Sequence, residues 1–585
     1  MKKIFVSSLL LAATMIVSAI PARPGWTTVT QPDGSTIELQ TIGDEYYHIT
    51  VTRDGQQVRQ NEEGFFEVVG QAPSAEELST LRRAAKERRN APGISRAPYI
   101  GVSPYLPPKA VVIMVNFKDV KFKDTTTKDI IDEICNSENC TVNSYGGVNY
   151  GSLAQYFRDQ SDGQYNIQFD IYGPVEVSQN YAYYGADYGG EGNDKYAGNL
   201  VIEACSKANA EIDFSKYDWN NDGEVDIVYI VYAGKGQADD PSHEANLLWP
   251  HSYNIEGARY FGTCTYTKEQ TKFDTKYVNE YAMSNELSGN SLAGIGIITH
   301  EFGHVIGLPD FYDTTSGGSN SANMLTPNDW DVMDAGGYNG DAHCPPNYNA
   351  WEKYFFGWLT PKNLGSTPAE LTLVPNGTEG YNSYQINTSG QQKAATASGT
   401  NYYIENRAKQ GWDTYLPASG MLIWMCNYQQ NVWSSGQPNS SSYGSPHFTI
   451  VSASGTKIGY TYGTKNVFPY NDINSWSGIS TRPLKEITRD GNLIHLFYID
   501  NPAPQTYSVK WVVNGKEIQE DTYAIDGSEN LRLPTVSFSS PCEGAEFVGW
   551  TKESVWYDPF VMPADLFTTA SGKVTADAVY YALFQ

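Results

Sequence analysis

At 585 residues the chain is longer than one hydrophobic core supports, and a prior of roughly 150 residues per domain predicts about three or four domains. Apolar residues at 40%, with 53 glycines and 42 tyrosines, exclude a disordered chain and predict much β structure. A formal charge of −26 excludes nucleic acid and anionic membrane surfaces as partners and suits a hard cation such as calcium.

The chain opens with Lys2 and Lys3, an apolar run from Ile4 to Val17, and the small residues Ser18 and Ala19. This pattern predicts a signal peptide over residues 1–19, cut near Ala19 or Ala22, because the run is shorter than the ~20 apolar residues a span needs. The mature protein is therefore expected to be secreted, extracellular or at the cell surface, without a membrane span and monomeric. Residues 20–105 read as a β-rich module of short strands and DGS, RDG and EEG turns, closed by a helix over Ser74 to about Asn90 with a Ser-x-x-Glu start. The Pro/Gly-rich stretch APGISRAPYIGVSPYLPPK then marks a boundary. Arg82-Arg83, Lys86 and Arg88-Arg89 form a basic cluster in front of it, either a processing site or a solvated helix face.

Residues 106–359 are read as the catalytic domain. AVVIMVNF at 110–117 and DIVYIVYAG at 226–234 are continuous apolar runs suited to buried strands, while SLAQYFRDQ and NLVIEACSKANA have helical periodicity. YDWNNDGEVDIVYI spaces Asp218, Asn220, Asp222 and Asp226 at positions 1, 3, 5 and 9 of a calcium loop, with a carbonyl from Glu224 at position 7 and a sharp turn at Gly223. Position 12 is Tyr229 where a full EF-hand has glutamate, so the expected site is partial and structural, its competitor being an acidic turn before a strand.

The segment THEFGHVIGLPDFYD at 299–313 carries the chemistry. A helix from about Ala293 to Val305 places His300 and His304 on one face, one turn apart, so that two imidazoles converge on a single ion. Glu301 sits beside them as the proton acceptor for a zinc-bound water. Gly307 ends the helix, and Asp310 supplies a third, oxygen ligand, with Asp313 as the competing carboxylate. His251 in WPH is read as a hydrogen-bonded packing residue. Residues 360–503 form an all-β accessory region, and 504–585 a small C-terminal β domain. Seven cysteines make no disulfide framework, and only Cys135 and Cys140 are close enough in sequence to suggest a bridge.

HEFGHVIGLPD matches the HExxHxxGxxD signature of metzincin-type zinc peptidases, and WDVMDAGG at 330–337 looks like that clan's methionine turn, with Met333 an apolar floor under the metal. Together with KAVVIMVNF, GSLAQYFRDQSDGQY, WPHSY, AWEKYFFGW and ENRAKQGWDTYLPASGMLIW, these stretches resemble the immune inhibitor A family of secreted bacterial metallopeptidases over most of residues 108–500. The resemblance implies an α+β fold, in which a metzincin-like mixed α/β catalytic domain is flanked by an N-terminal propeptide-like module and C-terminal all-β domains. It further implies a zymogen that becomes a zinc metalloendopeptidase acting on proteins or peptides. Residues 20–105 contain no cysteine, so latency must be steric or come from a carboxylate such as Asp33, Asp44 or Asp54. The competing function is a surface or matrix adhesin whose β domains bind protein or glycan and whose metal site is vestigial.

Overall fold

A computed structural model describes residues 19–61, 63–89, 101, 103–187, 194–240, 246–314, 325–440, 443–455, 460–500, 506–554 and 562–585. Residues 1–18 of the expected leader and most of the Pro/Gly stretch lie outside them, as do the side chains of Arg83, Lys86, Arg88 and Arg89. The described chain divides into two compact units, one reaching to Ile499 and one formed mainly by Asp500–Gln585.

In the first unit the N-terminal segment forms a five-stranded antiparallel meander, Thr27–Thr30, Thr36–Asp44, Tyr47–Thr52, Gln56–Gln60 and Phe66–Gln71, paired in chain order. Alternating residues such as Leu39, Ile49, Val51 and Val58 are buried, which fits a sheet with one face covered. The following helix, Ala75–Arg89, starts where expected. The Ser74 hydroxyl accepts from the amide of Glu77 at 3.3 Å, and the Glu77 carboxylate accepts from the Ser74 amide at 2.9 Å, a reciprocal cap.

The central sheet runs in the order His251–Asn254, Glu280–Ser288, Val228–Lys235, Lys109–Asn116 and Gln168–Glu176. Its four last strands are mutually parallel, while the His251–Asn254 edge strand and the short Ser291–Leu292 strand each pair antiparallel with Glu280–Ser288. Both apolar runs singled out in the sequence are interior strands, buried on both faces as a parallel sheet requires. The helices Leu153–Gln160 and Ala197–Ala208 fall on the two periodic segments, the first capped by Ser152, whose side chain accepts from the Gln155 amide.

From Lys362 the chain turns to strands, and a second sheet joins Lys362–Asn363, Tyr384–Ile386, Gly399–Arg407, Gly420–Tyr428 and Phe448–Ile450. One apolar core runs through both regions, from Ala110 to Val467. Phe311, just after the metal motif, stacks on Phe448 at a centroid distance of 4.1 Å, and Trp351 meets Trp433 at 4.7 Å. The second unit is a four-stranded sheet, Lys516–Ala524, Thr506–Val513, Ala578–Phe584 and Phe547–Thr551, around Trp511 and Trp550.

Candidate active site

The helix Ile295–Val305 ends on Ile306 and Gly307, whose φ of +112° lies in the left-handed region that glycine tolerates, and the chain reverses there. His300, His304 and Asp310 thereby meet, their ligand atoms all within 4.8 Å of one another. Asp310 Oδ1 is 3.4 Å from His300 Nε2 and 3.2 Å from His304 Nε2, and the two Nε2 atoms are 3.1 Å apart. All three residues are buried. Among the described residues this is the one group of three metal-ligating side chains placed to share an ion. Asp313, also buried, is outside the cluster.

The surroundings fix the imidazoles for coordination. His300 Nδ1 contacts the Val332 carbonyl at 2.6 Å and His304 Nδ1 the Leu308 carbonyl at 2.9 Å, so protons on Nδ1 leave both Nε2 lone pairs directed at Asp310. Burial holds the His300 imidazolium pKa below its usual value. Burial pushes the Asp310 carboxyl up, but His304 and His300 outweigh it and hold the group below the carboxylate range. Among the described residues no hydrogen-bond donor satisfies either oxygen of Asp310, a buried carboxylate facing two imidazoles. A charged group in that position requires a cation, and two nitrogens with one oxygen are a donor set that zinc accepts. Met333 lies beneath, so close to the helix that a Cβ at Gly303 would stand 2.5 Å from its sulfur.

Glu301 is fully buried next to the cluster, and burial raises its carboxyl pKa well above the ordinary value. Its Oε1 accepts the backbone amide of Ile20 at 2.9 Å. That contact spans 281 positions and is one of a set. The carbonyls of Ala19, Ile20 and Pro21 accept respectively from Tyr312 Oη at 2.9 Å, Trp249 Nε1 at 3.0 Å and Tyr338 Oη at 2.7 Å. The amides of Ala22 and Arg23 donate to the carbonyls of Gly43 and Ala238.

Sequence reading singled out the three residues that meet here and missed Trp249, Tyr312, Tyr338 and the strap they hold. The carboxylates expected to block the site lie elsewhere, which corrects that expectation. Asp33 and Asp54 are exposed, and Asp44 is buried in an ion pair with Arg82. The group on Glu301 is a main-chain amide. Of the basic cluster only the Arg82 side chain is described, and it is buried and ion-paired with Asp44, out of a protease's reach. His251 is a packing residue, with Nδ1 on the Trp249 carbonyl at 2.7 Å and Nε2 on Tyr281 Oη at 3.1 Å. Cys135 and Cys140 are unbridged and buried.

At the acidic loop, Asp218 accepts the amides of Asp222 and Gly223, each at 3.0 Å, and Gly223 has a φ of +92°. The Lys276 ammonium lies 2.6 Å from Asp218 Oδ2, and Asn220 Nδ2 donates to Asp222. Asp226 is turned to Tyr105 Oη and the Trp219 amide, and burial pushes its carboxyl up to about 6. The carboxylates thus share a loop without converging on one point. The side chain of Glu224, whose carbonyl was the expected position-7 ligand, is partly buried.

Residues 107–365 match the family model described as the immune inhibitor A peptidase M6 catalytic domain. The chain is 29% identical over 230 residues to the pre-pro-metalloprotease PrtV of Vibrio cholerae serotype O1 (strain M66-2), covering 36% of this chain and 24% of that protein. It is 26% identical over 298 residues to immune inhibitor A of Bacillus thuringiensis subsp. alesti, covering 46% of this chain and 41% of that protein. The chain therefore spans less than half the length of either relative. The matched residues 107–365 enclose the whole of the His300, Glu301, His304 and Asp310 cluster, and over them the chain is similar to the catalytic domain of the immune inhibitor A peptidase M6 family.

Proposed function

We propose that the chain is an exported zinc endopeptidase that hydrolyses peptide bonds of extracellular proteins. The observation that carries the reading is the buried Asp310 carboxylate, unsatisfied by any donor among the described residues and within 3.4 Å of two imidazole Nε2 atoms, with Glu301 beside them. His300, His304 and Asp310 would hold the ion, and Met333 would close its floor. A zinc ion held there would supply Lewis acidity toward a peptide carbonyl and water. Glu301, from its apolar surroundings, takes the proton of the attacking water and returns it to the leaving amine. No helix among the described residues is long and apolar enough to cross a membrane. The adhesin reading gives the orphaned carboxylate and the buried glutamate no task.

The test pairs metal content with turnover in the activated protein. Glu301→Ala should retain zinc and lose turnover by roughly 100- to 10,000-fold, the usual worth of a general base. Asp310→Ala should lose both, and Asp313→Asn should keep the metal. Normal turnover in Glu301→Ala would remove the assignment of the base, and metal loss confined to the Asp313 variant would move the third ligand.

We also infer a structural calcium role for the loop Asp218–Asp226, supported by the ligand spacing and by its closure around Asp218. The Lys276 ammonium occupies the position of a cation at that carboxylate and is the group a bound ion displaces.

A further inference from the structure

The strap over the catalytic residues is short and completely specified. Ala19 and Ile20 are fully buried and Ala22 nearly so, although nothing in their composition demands it. Three successive carbonyls each take one aromatic donor, from Tyr312, Trp249 and Tyr338. The Ile20 side chain packs in an apolar cluster with Trp249, Ile297, Tyr338 and Ala342, where a Cβ on Gly337 would stand 2.9 Å from Ile20 Cδ1. Arg23 anchors the exit, ion-paired with Asp341 and lying 5.0 Å from the Tyr145 ring centroid. Main-chain hydrogen bonds together with a side-chain pocket are how an extended peptide is bound in a groove.

The position of the nitrogen on Glu301 gives the strap its meaning. In peptide hydrolysis the general base returns its proton to the leaving nitrogen, so a freshly cut product presents its new amino group to that glutamate. The leader is expected to be cut near Ala19 or Ala22, and the two sites have opposite consequences. Hydrolysis between Ala19 and Ile20 by a leader peptidase adds water across the amide. The C–N bond breaks, the leader leaves with a carboxyl on Ala19, and Ile20 keeps an amino group at the atom now 2.9 Å from Glu301 Oε1. Hydrolysis after Ala22 would remove Ile20 and Pro21 altogether.

The geometry points to a self-inhibited enzyme in which the amino terminus made by cutting after Ala19 stays in the cleft as a product mimic, its amine on Glu301 and its isoleucine in the pocket that selects the substrate residue following the scissile bond. The inference rests on the peptidase reading above. It assigns Trp249, Tyr312 and Tyr338 to holding the substrate main chain, and makes the preferred substrate residue at that position aliphatic.

The test uses the exported chain 20–585, zinc-loaded, with Ile20 verified as its first residue by mass spectrometry. An amine-reactive reagent should label its α-amine at least about tenfold more slowly in buffer than in urea, since a group buried in the native state reacts only through opening. Ile20→Asp, whose carboxylate the apolar pocket rejects, should label quickly and cleave a quenched peptide at least about tenfold faster than the parent chain, because the competing ligand has been weakened. Free Ile-Pro-Ala-Arg should inhibit the variant, whereas the N-acetylated peptide should not. Equal labelling in buffer and urea overturns the inference with no variant needed, and so does equal, measurable turnover of parent and variant. A protected amine in a chain that stays inactive after Ile20→Asp upholds the buried terminus while removing the peptidase reading on which its inhibitory role depends.

Discussion

At the scale of single residues, the site depends on positions that make no bond to a ligand. Gly303 lies between the two histidines on the helix, and Met333 fills the space above its α-carbon. Alanine is the better helix former by about 1 kcal/mol, so propensity alone favours Gly303→Ala. Packing opposes it, because the added methyl meets the methionine sulfur at 2.5 Å and the Tyr348 hydroxyl at 3.3 Å in a region where both neighbours are fully buried. Overpacking a closed core costs about 1–3 kcal/mol, which exceeds the helix gain. Gly303→Ala is therefore expected to lower the melting temperature and weaken zinc retention, both measurable by calorimetry and metal analysis. A stabilised variant with full zinc would show that Met333 is free to move. The histidines themselves were legible in the sequence, because a four-residue spacing becomes one face of a helix by local geometry. The choice of Asp310 over Asp313 was legible only as a preference, since it depends on how the chain turns after Gly307.

At the scale of elements, the sequence reveals those whose cause is local. Two apolar runs became interior parallel strands, and the Ser152 and Ser74 helix starts hold as caps. Packing between distant segments left no such mark. The shift to strands near residue 360 is visible in composition, yet hydrogen bonds cross it: the amide of Asp310 donates to the Gly436 carbonyl, and Asn439 Nδ2 donates to the Phe311 carbonyl at 2.6 Å. The strap is invisible for the same reason, since its Ile20 amide meets a carboxylate 281 residues away. The acidic loop was read from spacing alone, and the structure adds the competitor. Lys276 neutralises Asp218 now, so calcium must displace an ammonium before it gains that oxygen. Lys276→Ala is expected to tighten calcium binding and enlarge the calcium-dependent rise in melting temperature, while Asp222→Ala should abolish it, because an ion that binds only the folded loop stabilises by mass action. An unchanged calcium response in both variants would exclude this loop.

At the scale of the whole molecule, the charge of −26 and the buried carboxyls act together on pH dependence. Asp239 is buried beside the strap's exit, accepting from Asn285 Nδ2 at 3.0 Å, and burial pushes its carboxyl from 3.8 up to about 7. Burial likewise raises Glu352 and Asp331 beneath the methionine turn. The unfolded chain releases the Asp239 proton near 3.8, whereas the folded chain holds it to about 7. Between those values the folded state binds more protons, so stability must fall as pH rises through that window. Repulsion among surface carboxylates gives the same sign, and salt separates the two causes, because exposed charges are screened over about 10 Å at 0.1 M whereas buried groups are screened much less. The melting temperature should therefore decline by at least about 2 °C between pH 5 and 7, a shift of the size expected for several tenths of a kcal/mol or more in a chain this large. Most of the decline should persist in 0.5 M salt, and Asp239→Asn should flatten it by removing the proton that the native state retains. A slope that vanishes in salt and is untouched by Asp239→Asn would assign the effect to surface repulsion and leave Asp239 ionised in the native protein.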